Sequence, residues 1–215
     1  MKKDISLLNK TNIKSGKLVS LIPEFYKLKN AVENNDWHHK ENVFKHTLSV
    51  LDSLEKALRN LNKETKQFLN NKVGDSTRKN LLKIATLFHD IAKSETLINN
   101  NGSTLCPDHE DKGAVRAKTI LNRFKLSDKE LKFILNIVKN HGLIHKILPT
   151  ENQNFQKEFA SFKKRFFHNI YPELILLAFA DTVGSYLAKT HPTEFKSRIS
   201  FYKKEIKNLP LKSKI

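Results

Sequence analysis

Leu81-Leu82-Lys83-Ile84-Ala85-Thr86-Leu87-Phe88-His89-Asp90-Ile91-Ala92-Lys93 is an apolar run that ends on two adjacent ligand-type side chains. A segment this apolar belongs in a core, where an unpaired charge is costly or shifts its pKa until it is neutral. A buried His beside a buried Asp therefore needs a partner, and a metal cation is the most economical one. The stretch predicts a helix leading into a metal centre if other His and Asp residues lie in similar apolar settings.

Outward from this stretch the pattern is helical. Leu48, Leu51, Leu54, Leu58 and Leu61 recur at three to four residues. Ser127-Asp128-Lys129-Glu130 reads as a capping box, and Asp75–Ser76 as the N-cap of the helix carrying His89–Asp90. Pro172 suits the first turn of a helix containing Leu174 to Ala180. Pro23, Gly74, Gly102, Pro107, Gly142, Pro149, Pro172, Pro192 and Pro210 are read as places where helices stop. Only Ser94 to Pro107 resists, with a turn at Asn99–Gly102 between two β-prone runs, so a loop or small hairpin is expected over 95–106. The expected fold class is all-α, a bundle of about eight to ten helices in one domain over 1–215.

Other ligand-type residues fall at inward positions of these helices. His46 lies near the start of the helix running toward Leu61. His141 continues the stripe of Leu131, Ile134, Leu135 and Val138. Asp181 follows an unbroken apolar run, and His109 precedes a helix expected from Glu110. Any one of these alone is more simply a hydrogen-bonded core residue, and Asp181 alone could pair with a lysine. Together they make a metal site the better reading. Imidazole and carboxylate donors without cysteine suit Mn, Fe, Mg, Zn, Co or Ni, with one or two ions per chain.

Composition bounds the partners. With 39% hydrophobic and 28% charged residues the chain reads as soluble and globular. The single cysteine, Cys106, permits no intrachain disulfide, and no apolar stretch of signal-peptide or membrane length is seen, so a cytoplasmic location and no membrane association are expected. The net charge of +17 favours anionic partners, including RNA. However, 33 of the 39 basic residues are Lys, the less specific phosphate reader. The densest basic runs are Lys163-Lys164-Arg165 and Lys196 through Lys207.

The order His46, His89–Asp90, Asp181 resembles the signature of the HD superfamily of metal-dependent phosphohydrolases. Asn42-Val43-Phe44-Lys45-His46-Thr47-Leu48, Leu87 to Lys93, His109-Glu110-Asp111-Lys112-Gly113-Ala114, and Leu177-Ala178-Phe179-Ala180-Asp181 are most similar to the HD domain of bacterial tRNA nucleotidyltransferases and poly(A) polymerases. The resemblance covers roughly residues 36–189. It implies an all-helical bundle with a metal held by His46, His89, Asp90 and Asp181. His109 and His141 fit the positions that complete a second site, with Asp90 as the bridge. The segment before Asp36 is too short for a polymerase palm, so nucleotide addition to tRNA is not expected. The Gly-Tyr-Pro segment of cyclic-di-GMP hydrolases is absent, as is the Glu-Asp expected after the His-Asp pair in guanosine-tetraphosphate hydrolases.

The resemblance thus implies a phosphatase or phosphodiesterase acting on a nucleotide, another phosphorylated small molecule or an RNA end. Asp90 and Lys93 would be the catalytic residues, since Lys93 stands at the i+3 position from Asp90 and could reach a substrate phosphate. Glu110 could support a metal ligand but reads better as a first-turn acid that favours its helix dipole, and His38 and His39 read as loop residues, one of which could face the phosphate. Two other readings use the same residues: a di-iron oxygenase of the same superfamily, and a nucleotide- or RNA-binding module without catalysis.

Overall fold

The computed structural model describes residues 1–148 and 153–209, so Pro149 and Pro210 lie outside the described residues. After a 3-10 turn at Ile5–Leu7 come α1 (Lys10–Lys14), α2 (Pro23–Lys27) and a hairpin of β1 (Val32–Asn35) and β2 (His38–Asn42). Helices α3 (Val43–Arg59) and α4 (Lys63–Asn70) precede a second hairpin, β3 (Lys72–Val73) with β4 (Ser76–Thr77). Then come α5 (Arg78–Phe88), α6 (Lys93–Thr96) and a third hairpin, β5 (Ile98–Asn100) with β6 (Ser103–Leu105). The remainder is α7 (His109–Leu121), α8 (Asp128–Asn140), α9 (Leu143–Ile147), α10 (Phe155–Phe166), α11 (Tyr171–Gly184), α12 (Leu187–Thr190) and α13 (Pro192–Lys207).

The all-α class holds. Among the described residues eight helices have eight or more residues, within the expected number, and five more are single turns of four or five. Segments that short carry too few residues for an apolar period to show. The hairpin expected over 95–106 is β5–β6. The other two hairpins were not anticipated, because Val-Glu-Asn-Asn and His-His-Lys-Glu-Asn lack the apolar alternation that marks a strand. Pro23 and Pro192 open α2 and α13 rather than ending a helix, since a first-turn Pro lacks only an N–H that would be unpaired anyway.

The cap of α5 also differs from expectation. Gly74, at φ +68°, turns the chain so that Ser76 joins a strand, and Thr77 takes over the cap, its hydroxyl accepting from Asn80 N at 3.2 Å. Ser76 N instead donates to Glu130 Oε1 at 2.9 Å. Glu130 also completes the capping box with Ser127.

Helix α11 is apolar on nearly every side and is buried at the centre, against α3, α13, α5, α8 and α9. Its closest neighbour is α3. A Cβ on Gly184 would stand 2.9 Å from Val50 N, so the absence of a side chain there permits the approach. The stripe Leu48, Leu51, Leu54 and Leu58 of α3 is buried. These contacts place one face of α3 and the last turns of α11 beside the C-terminal ends of α5 and α8.

Candidate metal centre

Each ligand-type residue is delivered by a helix or a helix end. His46 lies in the first turn of α3, Asp181 in the last turn of α11, and His89 directly after α5. His109 opens α7, and His141 follows α8. All six residues named from the sequence as metal ligands come together, with Asp90 in the middle. Its Oδ2 is 3.2 Å from His89 Nε2 and 3.7 Å from His46 Nε2. Its Oδ1 is 3.5 Å from both His109 Nε2 and His141 Nε2. His46 Nε2 also stands 2.9 Å from Asp181 Oδ1. The two oxygens of one carboxylate thus face two different histidine pairs.

The backbone sets the tautomers. Nδ1 of His89, His109 and His141 lies 2.8, 2.8 and 2.7 Å from the carbonyls of Thr86, Cys106 and Val138, each three residues earlier. A carbonyl can only accept, so each Nδ1 carries the hydrogen and each neutral ring presents a lone pair on Nε2. The three lone pairs converge on Asp90, the arrangement a cation requires. Among the described residues, His46 Nε2, His89 Nε2, His145 Nε2 and Asp181 Oδ1 are moreover buried without a well-aligned hydrogen bond. Two donor triads, His46–His89–Asp90 and Asp90–His109–His141, each place their atoms within 4.8 Å of one another. The donor set fits one or two divalent ions.

Three neighbours were not assigned to the site from the sequence, or were assigned only loosely. His145, in α9, holds Nε2 3.1 Å from Asp181 Oδ2, and Tyr202 hydroxyl lies 3.1 Å from its Nδ1. Its spacing of four from His141 was the available signal, but Gly142 between them reads as a break. Glu33 is only 3% exposed and lies 2.9 Å from Lys93 Nζ. His38, read as a loop residue, is instead a buried strand residue 3.5 Å from Glu33 and from Lys93. Lys93 itself is buried, its ammonium 3.0 Å from Asp90 Oδ2. Glu110 takes the Lys146 ammonium at 2.8 Å and also stands 3.4 Å from His109 Nδ1.

The electrostatics follow from burial and proximity. Burial alone would raise the Asp90 and Asp181 carboxyls. The cations and imidazoles around them win, holding both well below the ordinary carboxylate range. Burial depresses His38 well below the usual imidazole range and pushes His109 down to about 4. Burial also acts to lower His46 and His141, but Asp181 outweighs it for His46 and Asp90 for His141, so both are raised. A proton therefore competes with a cation for the Nε2 lone pairs of His46 and His141, so affinity rises with pH until both rings are neutral, by up to about tenfold per pH unit for each proton released. His109 adds nothing to this slope because it is already neutral. Mn(II) dissociation constants measured between about pH 6 and 8 should fall steadily, and a flat profile would contradict this electrostatic picture.

A cleft of about 380 Å³ opens onto the centre, lined by Asp90, Lys93, His109, His141, His145 and Asp181 among others. The β1–β2 and β5–β6 hairpins form one wall. They are joined by Asn34 N donating to Thr104 Oγ1 at 2.7 Å and Asn34 Nδ2 donating to the Gly102 carbonyl at 2.7 Å. Arg198 contributes positive charge, its guanidinium 5.1 Å from the Trp37 ring centroid.

A family profile for the HD domain matches residues 43–184, which spans α3 to α11 and contains His46, His89, Asp90, His109, His141, His145 and Asp181. The chain belongs to the HD-domain family. HD domains form a superfamily of metal-dependent hydrolases, and the convergent donors are in keeping with that chemistry. The HD chain is also similar to a bifunctional uridylyltransferase/uridylyl-removing enzyme of Cereibacter sphaeroides, at 27% identity over 129 residues. That alignment takes in 60% of this chain but only 13% of the relative's length. No helix of the HD chain among the described residues is long and apolar enough to cross a membrane.

Proposed function

We propose that this HD domain hydrolyses a phosphomonoester or a linear or cyclic phosphodiester of a nucleotide or RNA end, with one or two divalent ions held by His46, His89, Asp90, Asp181, His109 and His141. The observation that carries this reading is the pairing of Asp90 Oδ2 with His46 and His89 and of Asp90 Oδ1 with His109 and His141, at the floor of a cleft. A divalent ion, when bound, supplies an acidified water and polarises the phosphoryl oxygen.

The protein groups do the rest. Asp90 and Asp181 stay ionised and keep the floor anionic toward a cation. Lys93, held between Asp90 and Glu33, and Arg198, paired with Glu194 and packed on Trp37, both line the cleft, where their remaining N–H groups would meet a phosphate. His145 Nε2 stands 3.1 Å from Asp181 Oδ2, while His46 Nε2 faces Oδ1.

The substrate class rests on the likeness of the His46, His89–Asp90 and His109–Ala114 contexts to the HD domain of bacterial tRNA nucleotidyltransferases and poly(A) polymerases. The C. sphaeroides relative supports it too, because a uridylyl group is a nucleoside monophosphate and its removal is nucleotide chemistry. The basic runs on α10 and α13 are neighbours, joined where Lys163 meets Glu205 at 3.2 Å, and they would suit an RNA strand. A cytoplasmic location belongs to the same proposal.

The test is hydrolysis of bis-p-nitrophenyl phosphate and of 2′,3′-cyclic AMP with added Mn(II), Ni(II) or Mg(II), with metal occupancy measured alongside. Metal-dependent turnover of at least one substrate is expected. A metal-loaded protein that turns over neither, with any of the three ions, would sink the reading.

A further inference from the structure

His46 has a second ring nitrogen that the mechanism above does not use. While Nε2 faces Asp181 and Asp90, Nδ1 stands 3.9 Å from Glu41 Oε2. His38 packs edge-on against the same ring, with centroids 4.3 Å apart. Among the described residues, His38 Nδ1, Glu41 Oε2 and His46 Nδ1 are all buried without a hydrogen-bond partner. His38 is 5% and His46 1% exposed, so solvent does not satisfy them. One donor atom from each of the three residues lies within 4.8 Å of the other two.

A neutral imidazole that offers Nε2 to a cation must carry its hydrogen on Nδ1, and a buried N–H needs an acceptor. Glu41 is the carboxylate on that side, but 3.9 Å is too long for a direct bond. Any three atoms within 4.8 Å of one another all lie within about 2.8 Å of some common point, the length of a hydrogen bond to water. A second cation there is disfavoured, because His46 would have to give up both ring protons to bind ions on both sides. Glu41 and His38 lie on β2, ahead of the residues matched by the family profile.

We propose that Glu41 is a positioning residue for the metal centre. Through one buried water shared with His38, it accepts the Nδ1 hydrogen of His46 and so fixes the lone pair that His46 presents to the cation. The inference rests on the proposed function, in which His46 is a metal ligand.

Mn(II) binding by the full chain, compared among wild type, Glu41→Ala and Glu41→Gln, tests it. Glu41→Ala should bind about 10- to 100-fold more weakly, the usual cost of losing such a partner. Glu41→Gln keeps an acceptor oxygen and should stay within about threefold of wild type. Unchanged thermal midpoints of the metal-free proteins would exclude a mere folding defect. A Glu41→Ala protein that binds Mn(II) as tightly as wild type would overturn the inference alone. Loss of one whole equivalent of metal with the remainder bound normally would also overturn it, making the triad a metal site in its own right. A wild type that takes up no metal would overturn both this inference and the proposed function.

Discussion

Asp90→Asn is expected to lower metal-dependent hydrolysis by at least about a thousandfold and to leave the protein with little bound metal after dialysis. The substitution keeps the shape of the side chain and removes its charge. Among the described residues, Asp90 is the one group within reach of His46, His89, His109, His141 and Lys93 together. Without its charge the donors lose the anion that draws a cation among them, and one of the two histidine pairs faces an amide NH2, which cannot ligate a metal, in place of a carboxylate oxygen. Lys93 keeps Glu33 as a partner, so the loss should be functional rather than a collapse of the fold. Metal analysis, circular dichroism and the bis-p-nitrophenyl phosphate rate on the same preparation decide it. A variant that retains activity within tenfold of wild type would remove Asp90 from the chemistry.

Arg78→Ala should cost about 3–5 kcal/mol of stability, the largest expected effect outside the metal centre. Arg78 opens α5, and Glu173 lies in the first turn of α11. Arg78 Nε is 2.7 Å from Glu173 Oε1, and Nη2 is 2.9 Å from Oε2. The guanidinium also donates to the Asn169 carbonyl and packs between the Phe68 and Phe133 rings. Glu173 has no exposed surface, so removing Arg78 strands a carboxylate away from water.

Burial already lifts the Glu173 carboxyl above its usual range, against the pull of Arg78. In the variant that lift grows. An acid whose native pKa exceeds its unfolded one destabilises the fold when ionised, so the deficit should shrink as pH falls and Glu173 takes up a proton. Urea unfolding at about pH 7.5 and 5.5 measures both predictions. The double variant Arg78→Met/Glu173→Leu should recover most of the loss, because neither charge is then stranded. A loss below about 1 kcal/mol for Arg78→Ala would refute the argument. The pair also matters for the site. Glu173 sits about 12 Å up α11 from Asp181, and Arg78 begins the helix that ends at His89, so their contact sets the axial register between the two ligand-bearing helices.

The long helices and the cluster of buried His and Asp residues were legible because both are written locally. The apolar stripe of α3, the all-apolar face of α11 and the capping box at Ser127 are patterns within a dozen residues. His46, His89, Asp90, His141 and Asp181 stood out as polar residues at positions where burial was predicted. What escaped was of two kinds. The β1–β2 hairpin is polar and is stabilised from outside, by Asn34 bonding to Thr104 and Gly102, seventy and sixty-eight residues away. Glu33, His38 and Glu41 ride on it and were therefore not read as part of the centre. His145 was hidden by Gly142, which interrupts the helix between it and His141.

By itself the sequence determined an all-α fold class and marked buried His and Asp residues able to hold a cation, because an apolar helix cannot end on His89–Asp90 without something to balance the buried polar groups. Only the tertiary structure decided that Asp90 turns each of its oxygens toward a different histidine pair. That choice depends on where the ends of α3, α5, α8 and α11 meet. The meeting point is set by long-range contacts, the close approach of Gly184 to Val50 and the ion pair of Arg78 with Glu173, which no local period records.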